Sequence, residues 1–322
     1  MIEVPEFRKY DCLLIDVVNL CYKTFTKKND LTVQVGSKLV YKNSICNFIK
    51  SIEDLVKKYL HSDGQVYLLF DNYFSRADLR SSFMFADRRN LDEAYKETRK
   101  KENREFYNSI NFIKYYYLLG LPNYHTLQIQ GLEADDLVKP LLEDVCLDKT
   151  CLFLTSDLDW CRYLREDPRI DWLPKLNEEP QTIKDLEYKL GFEISEKNII
   201  LYKTIFGDIS DNIESIVPLN ESNKNEFLTL LKETSYPDEF IYLSRDASKV
   251  ANSKILKAIS QDERRFYINM QLVSSLPCSK DAIHKNLTSG RQAETLLKTV
   301  KLAMGLDESS KFVFGNIKRP RV

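Results

Sequence analysis

The stretch Cys12-Leu13-Leu14-Ile15-Asp16 runs through four apolar residues and stops on an acid. So short a continuous apolar run reads as a strand buried on both faces. The pattern returns in Val66-Tyr67-Leu68-Leu69-Phe70-Asp71 and in Cys151-Leu152-Phe153-Leu154-Thr155-Ser156-Asp157-Leu158-Asp159. A fourth run, Thr126-Leu127-Gln128-Ile129, leads through Gly131 to Glu133-Ala134-Asp135-Asp136. Helical periodicity occupies residues 47–59 and 132–145 between these runs. Strands alternating with helices predict an α/β fold with a mostly parallel sheet and helices on both faces. Sites in such sheets form at the carboxyl ends of the strands, which is where these acids fall.

Beyond about residue 185 the strand signal fades. Ser195 is placed to cap a helix over residues 196–206, and helical patterns continue to about Leu306. The expected organisation is a core over residues 1–190 and a C-terminal helical region over residues 191–322. At 322 residues the chain has the length of about two average domains. The basic end Ile317-Lys318-Arg319-Pro320-Arg321-Val322 reads first as a solvated terminus. Docking of that tail to a sliding clamp or single-strand-binding protein is the weaker alternative.

Composition excludes several classes. Hydrophobic residues at 43% and charged residues at 30% fit a globular enzyme, not a disordered tail or a disulfide scaffold. Seven cysteines, an odd number without a CxxC pair, read as reduced thiols of a reducing cytoplasm, that of the host if the chain is viral. His61, His125 and His284 stand far apart, which argues against a histidine-rich metal site. No apolar run reaches the roughly 18 residues that span a bilayer, and Met1 to Glu6 lack a secretory leader pattern. A soluble monomer without a membrane partner is expected.

Nine acids stand out: Asp16, Asp71, Glu133, Asp135, Asp136, Asp157, Asp159, Asp208 and Asp211. Each group has a plain structural explanation. Glu133 and its neighbours suit a helix N-terminus, Asp157 and Asp159 suit a turn, and Asp208 and Asp211 follow a Gly207 that suits a helix end. Gathered at one edge, they cannot all ionise without compensation. Either they stay protonated or cations fill the site. Oxygen-only donors select Mg²⁺, with Mn²⁺ as a substitute. The whole chain carries 47 basic and 48 acidic side chains; setting the nine aside leaves 39 acids and a net of +8. The remaining surface is thus basic enough for a polyanion.

Between Asp71 and Glu133 lie 61 residues, long for a strand–helix connection. Spacings of three and four bring Lys96, Arg99, Lys100 and Arg104 near one helical face, preceded by Arg88 and Arg89. Ion pairing with Asp92, Glu93, Glu97 and Glu102 is one reading of that run; a basic helical arch over the site is the other. Tyr107, Phe112, Tyr115, Tyr116 and Tyr117 are expected to pack the helix onto the core, with base stacking less favoured.

Six stretches carry a resemblance. They are Ile15-Asp16-Val17-Val18-Asn19, Leu69-Phe70-Asp71, Ala94-Tyr95-Lys96-Glu97-Thr98-Arg99, Gly131-Leu132-Glu133-Ala134-Asp135-Asp136, Thr155-Ser156-Asp157-Leu158-Asp159 and Gly207-Asp208-Ile209-Ser210-Asp211-Asn212-Ile213. In this order, over about residues 10–215, they resemble the phage and bacterial 5′-nuclease family of flap endonucleases and 5′→3′ exonucleases. The resemblance implies a PIN-like α/β sheet, an arch over about residues 72–118 and a helix-hairpin element in the C-terminal region that grips duplex backbone. It implies two Mg²⁺ ions and phosphodiester hydrolysis by a two-metal-ion mechanism. Asp16, Asp71, Glu133, Asp135 and Asp136 match positions around the first metal; Asp157, Asp159, Asp208 and Asp211 match positions around the second.

The resemblance also implies that Lys96 and Arg99 act on the scissile phosphate. Arg88, Arg89, Lys100, Arg104, Ser210 and Asn212 would contact nucleic acid. Substrates would be DNA with 5′ ends or flaps and RNA–DNA duplexes, with removal of RNA primers among the activities. One departure is plain: Glu214-Ser215-Ile216-Val217-Pro218-Leu219 lacks the glycine turn that holds potassium in the family, which puts a K⁺ site in doubt. A PIN-type single-strand ribonuclease and a non-catalytic nucleic-acid-binding module remain the alternatives.

Overall fold

The computed structural model describes residues 8–26, 30–71, 103–120 and 122–290, together with residues 88, 92, 95, 298, 300 and 304. Its centre is a sheet of seven strands. These are β1 (Tyr10–Asp16), β4 (Leu60–Leu69), β5 (Tyr124–Leu127), β6 (Cys151–Leu154), β7 (Arg165–Glu166), β8 (Arg169–Leu173) and β9 (Thr288–Ser289). The spatial order is β7-β8-β6-β1-β4-β5-β9. Pairing is parallel from β8 through β5, and only the edge strands β7 and β9 run antiparallel. A separate hairpin pairs β2 (Thr32–Val35) with β3 (Lys38–Tyr41).

Alternation along each central strand feeds two cores. Cys12 and Leu14 of β1, Tyr67 and Leu69 of β4, and Cys151 and Phe153 of β6 join one apolar cluster. Leu13 and Ile15, Val66 and Leu68, and Leu152 and Leu154 join the other. Successive side chains of a strand point to opposite faces, so an unbroken apolar run serves both. The second cluster takes in the helices Val17–Thr24, Lys42–Tyr59 and Arg104–Gly120. The first takes in Ala134–Leu142 and the helices from Ile183–Leu190 through Lys280–Asn286. Each fully buried aliphatic side chain contributes roughly 1.5–3 kcal/mol, so the double core fixes the strand ends firmly.

The expected helix over residues 196–206 forms as Glu196–Phe206, with Ser195 Oγ accepting from Asn198 N at 3.2 Å. The expected strand over residues 126–129 sits two residues earlier, because Gln128 turns out of the ladder and donates from Nε2 to the Asp71 carbonyl at 3.0 Å. Among the aromatics of the Arg104–Gly120 helix, Tyr116 and Tyr117 are buried whereas Tyr107 and Tyr115 are exposed. One helix face cannot bury five residues so closely spaced. Cys12, Cys146 and Cys151 bring their sulfurs within 4.8 Å of one another inside the first core, where they pack as small apolar side chains. No helix among the described residues is long and apolar enough to cross a membrane.

Candidate metal centre

The chain reverses its sheet order between β1 and β6: β4 and β5 lie on one side of β1, β6 and β8 on the other. That switch point opens a crevice at the carboxyl edge. Asp16 ends β1, Asp71 follows β4, and Asp157 follows β6. Each of these side chains is also fixed by a backbone amide. Asp16 Oδ1 accepts from Asn19 N at 3.1 Å, and Asp157 Oδ1 accepts from Asp159 N at 2.9 Å. Asp71 Oδ1 accepts from Ala134 N at 2.8 Å, which ties the end of β4 to the next acidic helix start. Asp136 Oδ2 accepts from Glu133 N at 3.0 Å, and Asp208 Oδ1 accepts from Ser210 N at 2.8 Å. Capping consumes one oxygen lone pair of each carboxylate and leaves others for a second partner.

Neighbouring polar groups hold the crevice together. Thr155 Oγ1 donates to Asp16 Oδ2 at 3.1 Å, and Ser156 Oγ donates to Asn19 Oδ1 at 2.8 Å. The start of the first helix is thereby bound to the end of β6. Helix Ala134–Leu142 contributes Asp135 and Asp136, and the short turn Ile209–Asp211 contributes Asp211. Carboxylate oxygens of Asp159, Asp208 and Asp211 lie within 4.8 Å of one another.

The 208–213 loop is built to present its acids. Asp208 N donates to Ile213 O at 3.0 Å and Ile213 N returns to Asp208 O at 2.9 Å. Gly207 enters this closure at φ +73°, where a Cβ would stand 2.6 Å from the Ile213 carbonyl oxygen. Only glycine fits there. Buried Asn269 donates from Nδ2 to Thr204 O at 3.0 Å and to Glu214 O at 2.7 Å, clamping the loop between two helices.

Charge in the crevice is partly balanced from within. Arg88 pairs with Glu133 Oε2 and with Asp136 Oδ1, both at 3.1 Å. Arg162 pairs with Asp159 Oδ1 at 2.6 Å. Lys203 Nζ lies 2.8 Å from Asp159 Oδ2, 2.7 Å from Asp208 Oδ2 and 3.7 Å from Asp157 Oδ1. These three cations do not neutralise the group. Burial, then Asp71 and Asp157, push the Asp16 carboxyl well above the usual range. Burial, then Asp136 and Glu133, do the same to Asp135, which also feels Asp159. Asp157 is pushed up to about 6 by burial and Asp159, with Asp211 adding to the effect. For Asp208 burial acts upward, but Lys203 and Ser210 outweigh it and hold the carboxyl below its ordinary value. These couplings chain all nine acids into one electrostatic unit.

The donor set is carboxylate oxygen, without histidine or thiol. It therefore suits a hard divalent cation such as Mg²⁺ or Mn²⁺ better than a softer one.

Asp16, Asp71 and Asp157 thus follow sheet strands, Glu133, Asp135 and Asp136 start the helix beside them, and Asp208 and Asp211 come from the 208–213 turn to meet Asp159. The basic residues divide. Lys96, Arg99, Arg89 and Lys100 lie outside the described residues. Arg104 is exposed at the start of its helix. Ser210 is exposed, and its hydroxyl donates to Asp208 Oδ1 at 2.6 Å; Asn212 adopts the left-handed conformation that ends the turn. Arg88 differs from expectation: it is buried among the acids, where the uncompensated carboxylates draw a cation inward, not displayed on an arch face. Lys203 and Arg162 went unforeseen. A lone lysine in the last helical turn and a lone arginine in a 3₁₀ turn look like ordinary surface charges in sequence.

Comparison with known proteins agrees with this fold. The family described as 5′-3′ exonuclease, N-terminal resolvase-like domain, matches residues 11–191. A 5′-3′ exonuclease of Mycoplasmopsis pulmonis (strain UAB CTIP) is 23% identical over 168 residues, which is 52% of this chain and 55% of that protein. The chain thus matches about half the length of that curated relative. Among solved structures, the T5 D15 protein co-crystallised with metal ions superposes with a TM-score of 0.58 at 18% identity, covering 91% of this chain and 98% of that one. A bacteriophage T5 D15 flap endonuclease in a pseudo-enzyme–product complex with DNA and metal ions gives a TM-score of 0.60 at 16% identity, covering 92% and 99%. At such identity these likenesses speak for the fold.

Proposed function

Because the chain belongs to the 5′-3′ exonuclease family, whose N-terminal resolvase-like domain spans residues 11–191, we propose that it is a divalent-metal-dependent 5′ nuclease. It hydrolyses phosphodiesters at or near 5′ ends and flaps of DNA, and removes RNA from RNA–DNA duplexes. The observation that carries this reading is the placement of Asp16, Asp71, Glu133, Asp135, Asp136, Asp157, Asp159, Asp208 and Asp211 on strand ends and turns around one crevice, where Asp157, Asp159 and Asp208 share Lys203, Glu133 and Asp136 share Arg88, and the carboxyls of Asp159, Asp208 and Asp211 meet, with too little internal positive charge. A clustered oxygen donor set of that kind suits two Mg²⁺ ions, with Mn²⁺ in their place where supplied.

Ions held there would lower the pKa of water and neutralise charge on the leaving oxygen. The chain's own residues do the positioning. Backbone amides and Thr155 orient the carboxylates. Lys96 and Arg99 stabilise the developing charge of the scissile phosphate. Arg89, Lys100 and Arg104 hold the backbone of the cut strand. The helices after residue 191, with Ser210 and Asn212 in the turn that follows the first of them, grip the duplex. Likeness in fold to a flap endonuclease solved with DNA and metal ions supports a DNA substrate and bound metal. The reading sets the protein in the cytoplasm, among replication proteins such as a clamp or single-strand-binding protein.

A labelled 5′ flap, a nicked duplex, an RNA–DNA hybrid and a single-stranded RNA, each incubated with Mg²⁺ or EDTA, test the proposal. Mg²⁺-dependent release from the flap or the 5′ end is expected. Cleavage of single-stranded RNA alone would identify a ribonuclease instead. Binding of every substrate with no cleavage in Mg²⁺ or Mn²⁺ would identify a binding module.

A further inference from the structure

Lys203 differs from the other cations of the crevice. Arg88 also donates to the Ser274 carbonyl at 2.7 Å, and Arg162 donates to the Asp159 and Val273 carbonyls at 2.7 and 3.1 Å. Both guanidinium groups are therefore built into the backbone framework. The ammonium of Lys203 has no such anchor among the described residues, and its ion pairs are with Asp157, Asp159 and Asp208. Two of its contacts, Asp159 Oδ2 and Asp208 Oδ2, belong to the carboxylates that converge within 4.8 Å with Asp211. An ammonium is a compact point charge on a flexible four-carbon stem, and it can retreat without breaking a planar bidentate array.

We propose that Lys203 is the resident counter-cation of the Asp157–Asp159–Asp208 group and exchanges with a divalent ion. In the metal-free protein it holds these acids together. On loading, it surrenders the Oδ2 atoms of Asp159 and Asp208 to the ion. As a competing cation at the same oxygens, it weakens the ion's affinity and keeps the acids assembled between loadings. Lys203 is thus a positioning residue whose cost is borne by metal affinity. This inference rests on the metal reading proposed above.

Calorimetric Mn²⁺ titration of the full chain without nucleic acid tests it. Lys203→Met should bind the ion at the Asp157–Asp159–Asp208 group roughly tenfold more tightly than the wild type, the scale on which residues beside a metal site alter affinity. Lys203→Met should also melt at a lower temperature in EDTA, with a larger Mn²⁺-induced rise. Lys203→Arg, which keeps the charge, should stay near the wild-type affinity. Unchanged or weaker Mn²⁺ binding by Lys203→Met overturns the proposal and leaves the metal reading standing. A wild type that takes up no Mn²⁺ removes both. Should Lys203→Met not fold, ¹⁵N NMR of lysine ammonium groups decides the matter in the wild type, with Lys203→Arg assigning the signal. Displacement of the Lys203 signal by Mg²⁺ is expected, and an unmoved signal at saturating Mg²⁺ overturns the exchange.

Discussion

Arg88 Nη2 stands 3.1 Å from Asp136 Oδ1, with both side chains buried. Asp136 Oδ1 also accepts from Leu276 N at 2.7 Å, so this one oxygen joins the start of the Ala134–Leu142 helix to the segment after the Glu263–Val273 helix. Removing the guanidinium leaves Glu133 and Asp136 buried without that partner. Breaking a buried pair from one side costs about 3–5 kcal/mol. Arg88→Ala should therefore lower stability to urea by an amount on that scale in EDTA. The loss should be smaller in Mg²⁺, because a divalent ion offsets the same negative charge. Equal losses in both media would show that the crevice does not take up the ion.

Proton and metal compete for the crevice, and the sign follows from the shifted carboxyls. Burial and Asp159 push Asp157 up to about 6, and Asp16 and Asp135 are raised as well. An acid whose folded pKa is raised favours the fold in its protonated form. That contribution is present at low pH and is lost as pH rises from the ordinary value of 3.8 through about 6. Asp208, held below its ordinary value, acts in the opposite sense and loses its contribution on acidification. Metal binding must expel the protons of the raised group. Mn²⁺ affinity should therefore climb between about pH 5 and pH 7, with proton release on binding, and calorimetry in buffers of different ionisation enthalpy reads both. Affinity independent of pH across that interval would contradict the coupling.

Much of this arrangement was legible because it depends on local rules. Buried strands must be apolar on both faces, so Cys12 to Ile15 and Cys151 to Leu154 announce themselves. Acids directly after such runs mark the carboxyl edge. Helix Glu196–Phe206 declares its start through Ser195 and its end through Gly207. The β2–β3 hairpin and the β7–β8 edge were less visible. Strand β2 carries the weak pattern Thr-Val-Gln-Val, and the Arg165–Glu166 piece of β7 is two charged residues long. Counter-cations such as Lys203 and Arg162 were illegible for a different reason. Lys203 meets Asp159 only when segments 44 positions apart pack, and Arg162, although it pairs with Asp159 within one turn, is buried only when the distant Val273 carbonyl closes over it.

Gly207 offers a test of the loop separate from its charges. Alanine there meets both the left-handed backbone and a carbonyl oxygen 2.6 Å from the new Cβ. The strain costs on the order of 1–3 kcal/mol. Because the displaced atom belongs to Ile213, the bridge to Asp208 must open and move a carboxylate of the centre. Gly207→Ala should therefore weaken Mn²⁺ binding more than its loss of stability predicts. A destabilised protein with wild-type Mn²⁺ affinity would show that the loop does not position Asp208.

Asp157→Asn separates charge from architecture. The amide oxygen of asparagine can keep the cap to Asp159 N, now 2.9 Å from Asp157 Oδ1, so stability should change by about 1 kcal/mol or less. The negative charge disappears, and with it the contribution of Asp157 to cation binding. Metal-dependent cleavage should fall steeply while thermal melting in EDTA is nearly unchanged. Full cleavage at low Mg²⁺ would remove Asp157 from the centre.

Lys96 tests the phosphate side of the reaction. It directly follows Tyr95, whose ring packs with Ile213, Leu272 and Val273 and whose hydroxyl lies 3.4 Å from Asp211 Oδ2. Asp92, three residues earlier than Tyr95, is held by Arg265 Nη1 at 2.7 Å. The chain leading into Lys96 is therefore tied both to the acids and to the Glu263–Val273 helix. A cation delivered there would act on charge that develops only as the phosphodiester breaks, which raises the rate without raising ground-state affinity. Lys96→Ala should slow single-turnover cleavage of a 5′ flap by roughly 10²-fold or more. Binding of the same flap, measured with Ca²⁺ in place of Mg²⁺, should weaken only a few fold. An unaffected cleavage rate would take Lys96 out of the chemistry; equal losses in rate and binding would make it a docking contact.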